Sequence, residues 1–592
     1  MGWCFGAGGH KSAAMRVLGL SCFYHDAAVC LIDEGRIVAA ATEESFSRKK
    51  HDSGFPRRAA EYALRQGGIS AADLSAVMFY DKPLKKFDRT IRTHLDHFPF
   101  GLGSFIRKMP HLMGTELRLP KVLRDELGYR GPVLYSDHHL SHAASAFFCS
   151  GWEESSFLTV DGVGEWATST WGVGRGNTIE VLGETRFPHS LGLLYSAITF
   201  YLGFKVNSAE YKVMGLAPYG QPRFVSEMRQ LIHIADDGSF RLDMSYFDFE
   251  RGQRMYNGRL EALFGRPTRP LEVGEVEPFH HDVARSLQVI VDEVMVKLAT
   301  HIVERTGISR LCLAGGVALN CVANGEVLRR SPVTELFVQP SAGDAGGAMG
   351  AALQLWNGLL QKPRLPRLES VYLGPEESDE QVRSTLEGYG ARFETLDREA
   401  LLRRAVGLLE AGKVVGWHHG RMEWGPRALG HRSILGDPRV PDMRDVINRK
   451  IKMREGFRPF APSVLADKAN EWFEMDCDSP YMLLVAPVRA GKTPLPSITH
   501  VDNSARVQTI SREQDALYYD LIAGFGERTG VPVLINTSMN VRGEPMVCTA
   551  DDAYRCFMRT GMDALVIGSF VLLKEEQPAL TLRSAAEEFG LD

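Results

Sequence analysis

From Arg16 onwards the chain alternates between short apolar runs and polar turns, a pattern that predicts an α/β protein. The first stretch reads as a three-stranded meander, followed by a helix at about 57–67 that a glycine stops. Two apolar strands then end in an acid or in a glycine loop, with a long helical periodicity between them. These segments are RVLGLSCF, AVCLI and RIVAAAT for the meander, FLTVDG (157–162) and LCLAGG (311–316) for the two strands, 281–305 for the long helix, and a glycine turn running into a helix at 343–356.

A second α/β pattern follows QKPRLPR, a basic segment with two prolines that we interpret as part of a linker. Two predicted helices (DEQVRSTLEGYG and LLRRAVGLLEAG) precede the predicted strands KVVGWHHG, VPVLIN and ALVIGSFVLL. A chain of 592 residues is long enough for more than one domain. We expect an N-terminal tail at 1–14, a first domain at 15–360, a linker and the start of the second domain at 361–395, and the second domain at 396–592.

Composition and charge narrow the class of protein. The hydrophobic share of 44% and the charged share of 24% are typical of a globular enzyme, and the net charge of −5 argues against a nucleic-acid partner. The nine cysteines are scattered and form no CxxC motif, so a disulfide framework and a cysteine zinc knuckle are both disfavoured. No apolar run approaches the roughly 18 residues of a membrane span. We therefore expect a cytoplasmic enzyme without a membrane partner.

The motif HHLSH is the first candidate site. His138 and His142 are four residues apart, so on a helix they share one face and could chelate one ion. A zincin protease needs a glutamate where His139 stands, which disfavours that class. The spacing alone favours two ordinary hydrogen-bonded histidines. Asp161 at a strand end and Asp344 in SAGDAGG shift the balance, because two imidazoles with two carboxylates suit Fe(II), Mn(II) or Zn(II).

Glycine turns are the second feature of the first half of the chain. Small turns let backbone N–H groups approach phosphate oxygens closely, and five of them after strands resemble a nucleotide cleft between two lobes. Asn320 offers a polar edge there, although a helix cap explains this residue almost as well. The five turns are DGVGE (161–165), SLG (190–192), KVMGLAPYG (212–220), AGGVALN (314–320) and GDAGG (343–347).

The segment 421–458 carries ten cations against five acids. A charged run is usually a solvated surface. Here, however, single arginines stand among Gly, Pro and Phe in GPRALGHRS and FRPFAPS, and guanidinium groups match phosphate geometry, so we favour an anion pocket. The cations are Arg421, Arg427, Arg432, Arg439, Arg444, Arg449, Lys450, Lys452, Arg454 and Arg458.

A basic stretch at 79–108 admits two interpretations. It carries seven lysines and arginines against three aspartates. An exposed helix explains this composition, and so does recognition of an acceptor with acidic or polar groups.

The motifs together, in this order, resemble the O-carbamoyltransferases of the NodU/CmcH family from about Arg16 to about Lys574. They are YHDAA, EESFSRKKH, HHLSHAASA, VDGVGE, KVMGLAPYG, AGGVALN, GPRALGHRS, FRPFAPS and INTSMNVRGEP. The resemblance implies a Kae1-like first domain of the actin/Hsp70 ATPase type, with two ribonuclease-H-like lobes, and a YrdC-like α/β second domain. It further implies that the second domain converts carbamoyl phosphate and ATP into carbamoyl adenylate. The first domain would then transfer the carbamoyl group to an acceptor hydroxyl.

The resemblance also assigns roles to individual residues. It implies that His25 is the catalytic histidine and that Fe(II) is the metal, with Mn or Zn as alternatives and Mg as a companion of ATP. The implied iron ligands are His138, His142, Asp161 and Asp344. The implied positions around carbamoyl adenylate are Lys50, Gly162, Gly164, Gly192, Gly316 and Asn320. The implied pocket for ATP and carbamoyl phosphate comprises Arg427, Lys452, Arg458, Ser463, Arg506, Asn536 and Arg542.

Other functions remain open at this stage. An ATP-binding regulatory or chaperone module of the actin/Hsp70 type is the main alternative, and the four candidate ligands and His25 argue against it. Hydrogenase-maturation relatives would show CxxC motifs, and a tRNA-modifying enzyme would want a basic face. Segments 79–130 and 235–275 depart from the family pattern, so the acceptor is defined only as a hydroxyl of an antibiotic, macrolide or sugar. A homodimer is compatible with the sequence.

Overall fold

The computed structural model describes residues 14–251, 254–364, 366–452, 456, 460–492 and 494–590. The predicted N-terminal tail, apart from its last residue, therefore lies outside the described residues. So do two cations of the basic segment, Arg454 and Arg458.

The first lobe is built on a five-stranded sheet in the order β3-β2-β1-β4-β5. Strands β1 to β3 pair antiparallel, as the predicted meander requires, and β4 and β5 continue parallel to β1. The strands are β1 (Arg16–Ser21), β2 (Ala28–Asp33), β3 (Arg36–Thr42), β4 (Ala76–Phe79) and β5 (Val133–Tyr135).

The second lobe repeats this topology. Its sheet has the order β8-β7-β6-β11-β12, with β6 to β8 antiparallel and β11 and β12 parallel to β6. A two-stranded ribbon, β9 with β10, is separate. The bounds are β6 (Glu154–Val160), β7 (Ala167–Arg175), β8 (Thr178–Arg186), β9 (Ile232–Ile234), β10 (Phe240–Leu242), β11 (Arg310–Ala314) and β12 (Glu335–Val338). The duplicated order is that of two ribonuclease-H-like lobes, so this prediction is confirmed.

The C-terminal body surrounds a nine-stranded mixed sheet in the order β13-β21-β20-β14-β15-β19-β16-β18-β17. The predicted single strand ALVIGSFVLL is wrong. Gly568 takes a left-handed conformation (φ +53°), so the run folds back as the antiparallel pair β20 and β21. The strands are β13 (Glu394–Thr395), β14 (Val415–His418), β15 (Arg432–Gly436), β16 (Ala461–Leu465), β17 (Leu484–Pro487), β18 (Ser504–Ile510), β19 (Val533–Ser538), β20 (Ala564–Ile567) and β21 (Phe570–Leu573).

Helices pack against the sheets, and none in the described residues combines the length and apolarity that crossing a bilayer requires. The predicted helices at 57–67 and 281–305 are confirmed as α2 and α11. The α-helices are α1 (Glu44–Ser47), α2 (Arg57–Gln66), α3 (Pro83–Asp96), α4 (Leu102–Gly114), α5 (Leu119–Leu127), α6 (His138–Ser150), α7 (Leu191–Tyr201), α8 (Glu210–Leu216), α9 (Val225–Leu231), α10 (Gly258–Phe264), α11 (Pro278–Thr306), α12 (Cys321–Arg330), α13 (Asp344–Leu353), α14 (Asp379–Gly388), α15 (Arg398–Glu410), α16 (Met443–Ile447), α17 (Ala469–Trp472), α18 (Ala516–Thr529), α19 (Ala550–Arg559) and α20 (Ala585–Phe589).

Two glycines let α13 pack closely enough to define the site. A Cβ on Gly19 of β1 would lie 1.9 Å from the carbonyl oxygen of Ala348, and one on Gly350 would lie 1.8 Å from that of Ser141 on α6. Only residues without a side chain allow these approaches. As a result, α6 and α13 begin side by side.

The segment expected to start the second domain is divided between the two bodies. Leu368, Val371 and Leu373 are buried in the core of the first lobe. Helix α14 packs instead on α19 of the C-terminal body. The chain therefore crosses from one body to the other between these two stretches.

Candidate active site

Four side chains converge where two helices begin and one strand ends. His138 and His142 lie on the first turns of α6, Asp161 follows β6, and Asp344 is the first residue of α13. One ligand atom from each lies within 4.8 Å of the others. The structure thus brings together the four residues that the sequence proposed as metal ligands.

The distances within this quartet fit a shared cation. The Nε2 atom of His138 lies 3.0 Å from Asp161 Oδ2 and 3.1 Å from His142 Nε2. Oδ1 of Asp344 lies 3.6 Å from Nε2 of each histidine. Asp344 is 1% exposed, and neither of its carboxylate oxygens has a hydrogen-bond partner among the described residues. Such a carboxylate is costly unless a cation compensates it, so this His₂Asp₂ group could hold a metal ion.

The protonation behaviour of the quartet points the same way. Burial lowers the pKa of His142, but the nearby carboxylates of Asp161 and Asp344 outweigh this effect and raise the pKa to about 9. The pKa of His138 is likewise raised by the two carboxylates against the effect of burial. Burial would raise the pKa of Asp161, yet the histidines hold it well below its usual range. The carboxylates therefore attract positive charge, whether from protons or from a metal.

Glycine backbone orients Asp161. The N–H of Gly316 donates to Asp161 Oδ1 at 2.9 Å, which leaves Oδ2 for the histidines. A Cβ on Gly192 would lie 2.6 Å from the carbonyl oxygen of Asp161, so α7 also begins against this strand end. Gly162 has nothing within 4 Å of a built Cβ and faces open space. Gly164 has a packing role, because its Cβ would lie 3.0 Å from the ring of His138.

His25 lies in the turn between β1 and β2, beside the quartet. Its Nδ1 lies 3.0 Å from Asp26 Oδ2, and its Nε2 lies 3.7 Å from Asp344 Oδ2. The other oxygen of Asp26 lies 2.7 Å from Nδ1 of His51. Burial lowers the pKa of His25, but Asp344 and Asp26 raise it to about 10. One ring nitrogen is therefore held by Asp26, and the other faces the His₂Asp₂ group, which we call the metal group.

A cavity of about 1120 Å³ joins this site to the C-terminal body. Most of the sequence-predicted residues line it. From the first body these are His25, Lys50, Asp161, Gly162, Gly192, Gly316 and Asn320, and from the C-terminal body Arg427, Lys452, Arg506, Asn536 and Arg542. The predicted residues that are not on its wall are His138, His142, Gly164, Asp344 and Ser463, and Arg458 lies outside the described residues. The two sets of predicted residues thus share one space.

A buried amide network sits at the C-terminal end of the cavity. The side-chain N–H₂ of Asn536 donates to Gln508 Oε1 at 2.8 Å, to Ser463 Oγ at 3.1 Å and to the carbonyl oxygen of Ala428 at 3.2 Å. These three acceptors fix the orientation of the amide. Its Oδ1 is buried and has no hydrogen-bond partner among the described residues. Ser463 therefore supports Asn536 instead of lining the cavity itself.

Three other predicted residues make contacts within the protein. The Asn320 side chain accepts from the N–H of Ala323, which makes it a helix cap, and its amide also pairs with that of Gln288. Lys452 Nζ donates to Asn540 Oδ1 at 2.6 Å. Arg542 Nη2 donates to Glu272 Oε2 of the first body at 2.8 Å. A ligand would share or replace these contacts.

Only part of the cationic segment 421–458 faces the cavity. Of its eight described cations, Arg427 and Lys452 line the cavity. Arg432 is fully buried and donates to backbone carbonyls, including that of His419 at 2.8 Å. Arg439 pairs with Asp437, and Arg421 is used at the contact between the two bodies. Several of these arginines therefore have structural roles.

Two arginines hold the bodies together beside the cavity. Arg48 of the first body donates to the carbonyl oxygen of Met546 at 2.7 Å and pairs with Glu544 at 3.1 Å. Arg421 of the C-terminal body donates to the carbonyl oxygen of Val38 at 3.0 Å and to the hydroxyl of Tyr62 at 3.0 Å. Charge-assisted bonds of this kind are stronger than neutral ones. They fix the two bodies relative to each other at the cavity.

Sequence reasoning missed several residues that shape the site. Glu165 accepts from the backbone N–H of His138 at 3.0 Å and of Lys82 at 2.8 Å, so it caps α6, the helix that carries the two candidate ligand histidines. The VDGVGE motif contains this acid, but its target lies 27 residues away and no local pattern indicates it. Asp26 and His51 could have been noticed, because they directly follow His25 and Lys50 in two of the motifs.

Two family models cover most of the chain. The model for the carbamoyltransferase N-terminus matches residues 16–353, and that for the carbamoyltransferase C-terminus matches residues 406–574. The chain belongs to the carbamoyltransferase family. The protein is thus a transferase, and the group it transfers is the carbamoyl group.

Individual proteins are similar to this chain over different shares of its length. An uncharacterized protein of Synechocystis is 47% identical to this carbamoyltransferase over 97% of this chain and all of its own. Nodulation protein NolNO of Sinorhizobium fredii is 39% identical over 93% of this chain and 79% of its own. The 3'-hydroxymethylcephem-O-carbamoyltransferase of Amycolatopsis lactamdurans is 35% identical over 44% of this chain and 48% of its own. The last name records transfer to an oxygen atom.

Proposed function

We propose that the protein is an ATP-dependent O-carbamoyltransferase with two reaction sites in one cavity. At the C-terminal site, carbamoyl phosphate, ATP and water would yield carbamoyl adenylate, phosphate and pyrophosphate. At the N-terminal site, a hydroxyl oxygen of the acceptor would attack the carbamoyl carbon, and AMP would leave. The observation that carries this proposal is a cavity lined by His25 and Asp161, one of the His₂Asp₂ group, and also by the cations of the C-terminal body.

The cations suit the first step. Carbamoyl phosphate and ATP are both polyanions that repel each other, and Arg427, Lys452, Arg506 and Arg542 surround the space where they would meet. Planar guanidinium groups bind phosphate oxygens through two parallel hydrogen bonds. These four residues would bring the phosphates together and neutralise their charge.

Asn536 suits the carbamoyl group itself. Its buried Oδ1 lacks a hydrogen-bond partner among the described residues, while its N–H₂ is held by Ser463 and Gln508. A carbamoyl N–H₂ is a donor that would satisfy this acceptor, whereas the methyl group of an acetyl analogue would not. Asn536 would therefore distinguish the amide from similar acyl groups.

The shared cavity suits the intermediate. Carbamoyl adenylate is a mixed anhydride that water would hydrolyse, so it is best kept between walls that do not separate. The contacts of Arg48 and Arg421 hold these walls together. We infer that the intermediate moves to the N-terminal site without leaving the protein.

The second step would use His25, the glycine backbone and the metal group. His25 would accept the proton of the attacking hydroxyl at Nε2 while Asp26 holds Nδ1, a general-base role worth about 10²- to 10⁴-fold. Gly162, Gly192 and Gly316 would bring backbone close to the nucleotide phosphate. The proposed metal ligands are His138, His142, Asp161 and Asp344. They would hold Fe(II), with Mn(II) or Zn(II) as alternatives, and the ion would supply positive charge to the adenylate phosphate. Compensation of Asp344 by a cation would also lower the pKa of His25 towards the neutral form that a base requires.

The acceptor is proposed only as a class. The cephem-modifying relative acts on a small molecule, and we propose a hydroxyl of an antibiotic, macrolide or sugar for this chain as well. Reaction in the cytoplasm and Mg-bound ATP belong to the same proposal, as do domain limits near 15–360 and 396–592.

A direct assay separates this function from an ATP-binding module without transfer. We expect pyrophosphate release that requires carbamoyl phosphate, and a mass gain of about 43 Da in an acceptor, the exchange of a hydrogen for a carbamoyl group. His25→Asn should abolish the mass gain while pyrophosphate release persists. ATP hydrolysis that ignores carbamoyl phosphate would favour the regulatory module. Loss of both activities in His25→Asn would remove its assignment to the second step.

A further inference from the structure

The segment from α3 to α4 concentrates exposed apolar side chains. The described residues contain sixteen exposed large hydrophobic side chains, and seven lie between Leu84 and Met113. A concentration of exposed apolar side chains points to an interaction site. The seven are Leu84, Leu95, Phe98, Phe100, Leu102, Ile106 and Met113, and we call them the α3–α4 surface.

Aromatic and cation–π contacts hold the residues of this surface in place. The ring of His94 stacks on that of Phe105 with centroids 4.4 Å apart and joins the two helices. The guanidinium of Arg251 lies 5.3 Å from the ring centroid of Phe100. Leu84 and Leu95 are three turns apart on one face of α3. The exposed apolar side chains therefore project from helices that are packed against each other.

The same part of the chain is strongly cationic. Residues 82–124 contain ten lysines and arginines against three acids, in a chain whose net charge is −5. Four of these cations are exposed and form no ion pair within the described part of the chain: Arg107, Arg118, Lys121 and Arg124. Arg107 directly follows Ile106 in α4, and the other three cations lie in the next helical segment. Exposed apolar side chains combined with unpaired cations are what an anionic interface attracts.

We propose that the α3–α4 surface docks the protein on an anionic lipid bilayer. Peripheral docking needs no membrane-spanning helix, so it is compatible with the lack of one among the described residues. It does revise the expectation of no membrane partner, which rested on the absence of a spanning segment. A second copy of the chain fits less well, because a two-fold interface would place this cationic surface against itself.

Docking would act close to the reaction centre. Lys82 and Lys85 at the start of α3 both bind Asp137, the residue just before the metal-bearing helix. Arg89 on the next turn donates to the carbonyl oxygen of Gly164 at 2.7 Å. The docking element is therefore fixed to the first body at the metal site, although docking itself does not depend on the proposed reaction.

Vesicle sedimentation with the full-length protein tests the proposal. The vesicles contain phosphatidylcholine alone or with about 30% phosphatidylglycerol. We expect binding to the anionic vesicles to exceed that to neutral ones by at least about tenfold, and to fall in about 0.5 M salt. The double variant Phe98→Glu with Phe100→Glu should lose this binding. The matched control, Val181→Glu with Leu182→Glu, changes two exposed apolar residues of β8 and should bind like the wild type.

Each other outcome overturns the proposal. Wild-type protein that stays in the supernatant with anionic vesicles shows that lipid does not cover this surface. Equal losses in both double variants show that the effect is not specific to it. Light scattering adds a check on self-association, since a wild-type dimer that the Phe98/Phe100 variant converts to a monomer identifies a second copy as the occupant. Unchanged thermal unfolding of both variants keeps the comparison interpretable.

Discussion

The metal group and the cationic pocket belong to different bodies of the molecule, adjoin the same cavity and are built differently. The four metal-group residues come from the first turns of two helices and the end of one strand, and all are buried. The pocket takes Arg427, Lys452, Arg506 and Arg542 from four separate segments of the C-terminal body. A metal site needs fixed ligands around one point, whereas a phosphate site needs positive charge spread over a larger surface.

This difference predicts how each site responds to a lost side chain. At the metal group, removal of one ligand leaves buried carboxylates without compensation. In the pocket, the neighbouring cations remain. Damage at one site should also leave the chemistry of the other intact, because the two sites share no residue and come from different bodies.

The largest effect is expected from His142→Ala. Loss of this ligand should remove the metal and slow carbamoyl transfer by about 10³-fold, since the ion would supply several kcal/mol of charge stabilisation. Pyrophosphate release at the other site should continue. Metal content by plasma mass spectrometry and acceptor carbamoylation by mass spectrometry measure the two results.

His139→Gln is the matched control, because His139 lies on the same helix and is equally buried. It bonds to Thr159 at 2.7 Å and to the carbonyl oxygen of Ala167 at 2.9 Å, away from the metal group. This variant should keep its metal. A metal-free His139→Gln together with a metal-loaded His142→Ala would reverse the ligand assignment.

The comparison also explains what the sequence could predict. The metal group follows from local signals: a strand that ends in an acid, and two histidines one helical turn apart. The two ribonuclease-H-like lobes are predicted from the family resemblance of the motifs. The pocket depends on contacts between distant segments, and charge density alone overestimated it, because Arg421 and Arg432 serve backbone carbonyls. Asn320 shows the same limit, since both of its interpretations apply at once: it caps α12 and it lines the cavity.

A smaller effect is expected from Arg427→Ala. Removing one cation from the pocket should slow pyrophosphate release by about 10²- to 10³-fold, the usual consequence of losing one group that stabilises developing charge. Transfer from supplied carbamoyl adenylate should stay within a few-fold of the wild type. Rapid-quench assays of each half-reaction measure these rates.

Arg439→Ala provides the control from the same cationic segment. Arg439 pairs with Asp437 at 2.7 Å and is not on the cavity wall. Both half-reactions should keep wild-type rates in this variant. An equal loss in Arg427→Ala and Arg439→Ala would mean that general positive charge matters, and not the pocket.

The smallest effect concerns the stability of the protein, through a buried acid on the cavity wall that forms no ion pair among the described residues. Asp292 on α11 lines the cavity, and its only hydrogen bond from a described side chain comes from Gln288 at 2.8 Å. Burial is the main cause that raises the pKa of Asp292 to about 6. A pKa raised in the folded state favours the protonated form, so stability is lost as the pH rises from about 4 to about 6. Asp292→Asn keeps the acceptor for Gln288 and should increase the free energy of unfolding by on the order of 2 kcal/mol above pH 6, with no gain near pH 4.

The neighbouring residue gives a control of opposite sign. Burial alone would raise the pKa of Glu293, but hydrogen bonds from Arg229 and Lys297 lower it. Its ionised form therefore stabilises the folded protein, and Glu293→Gln should reduce stability at neutral pH and lose that effect in acid. Denaturant unfolding at pH 4 and pH 7.5 tests both variants under the same conditions. If both shift stability in the same direction at pH 7.5, the lack of a directly bonded cation is not what distinguishes Asp292 from its paired neighbour Glu293.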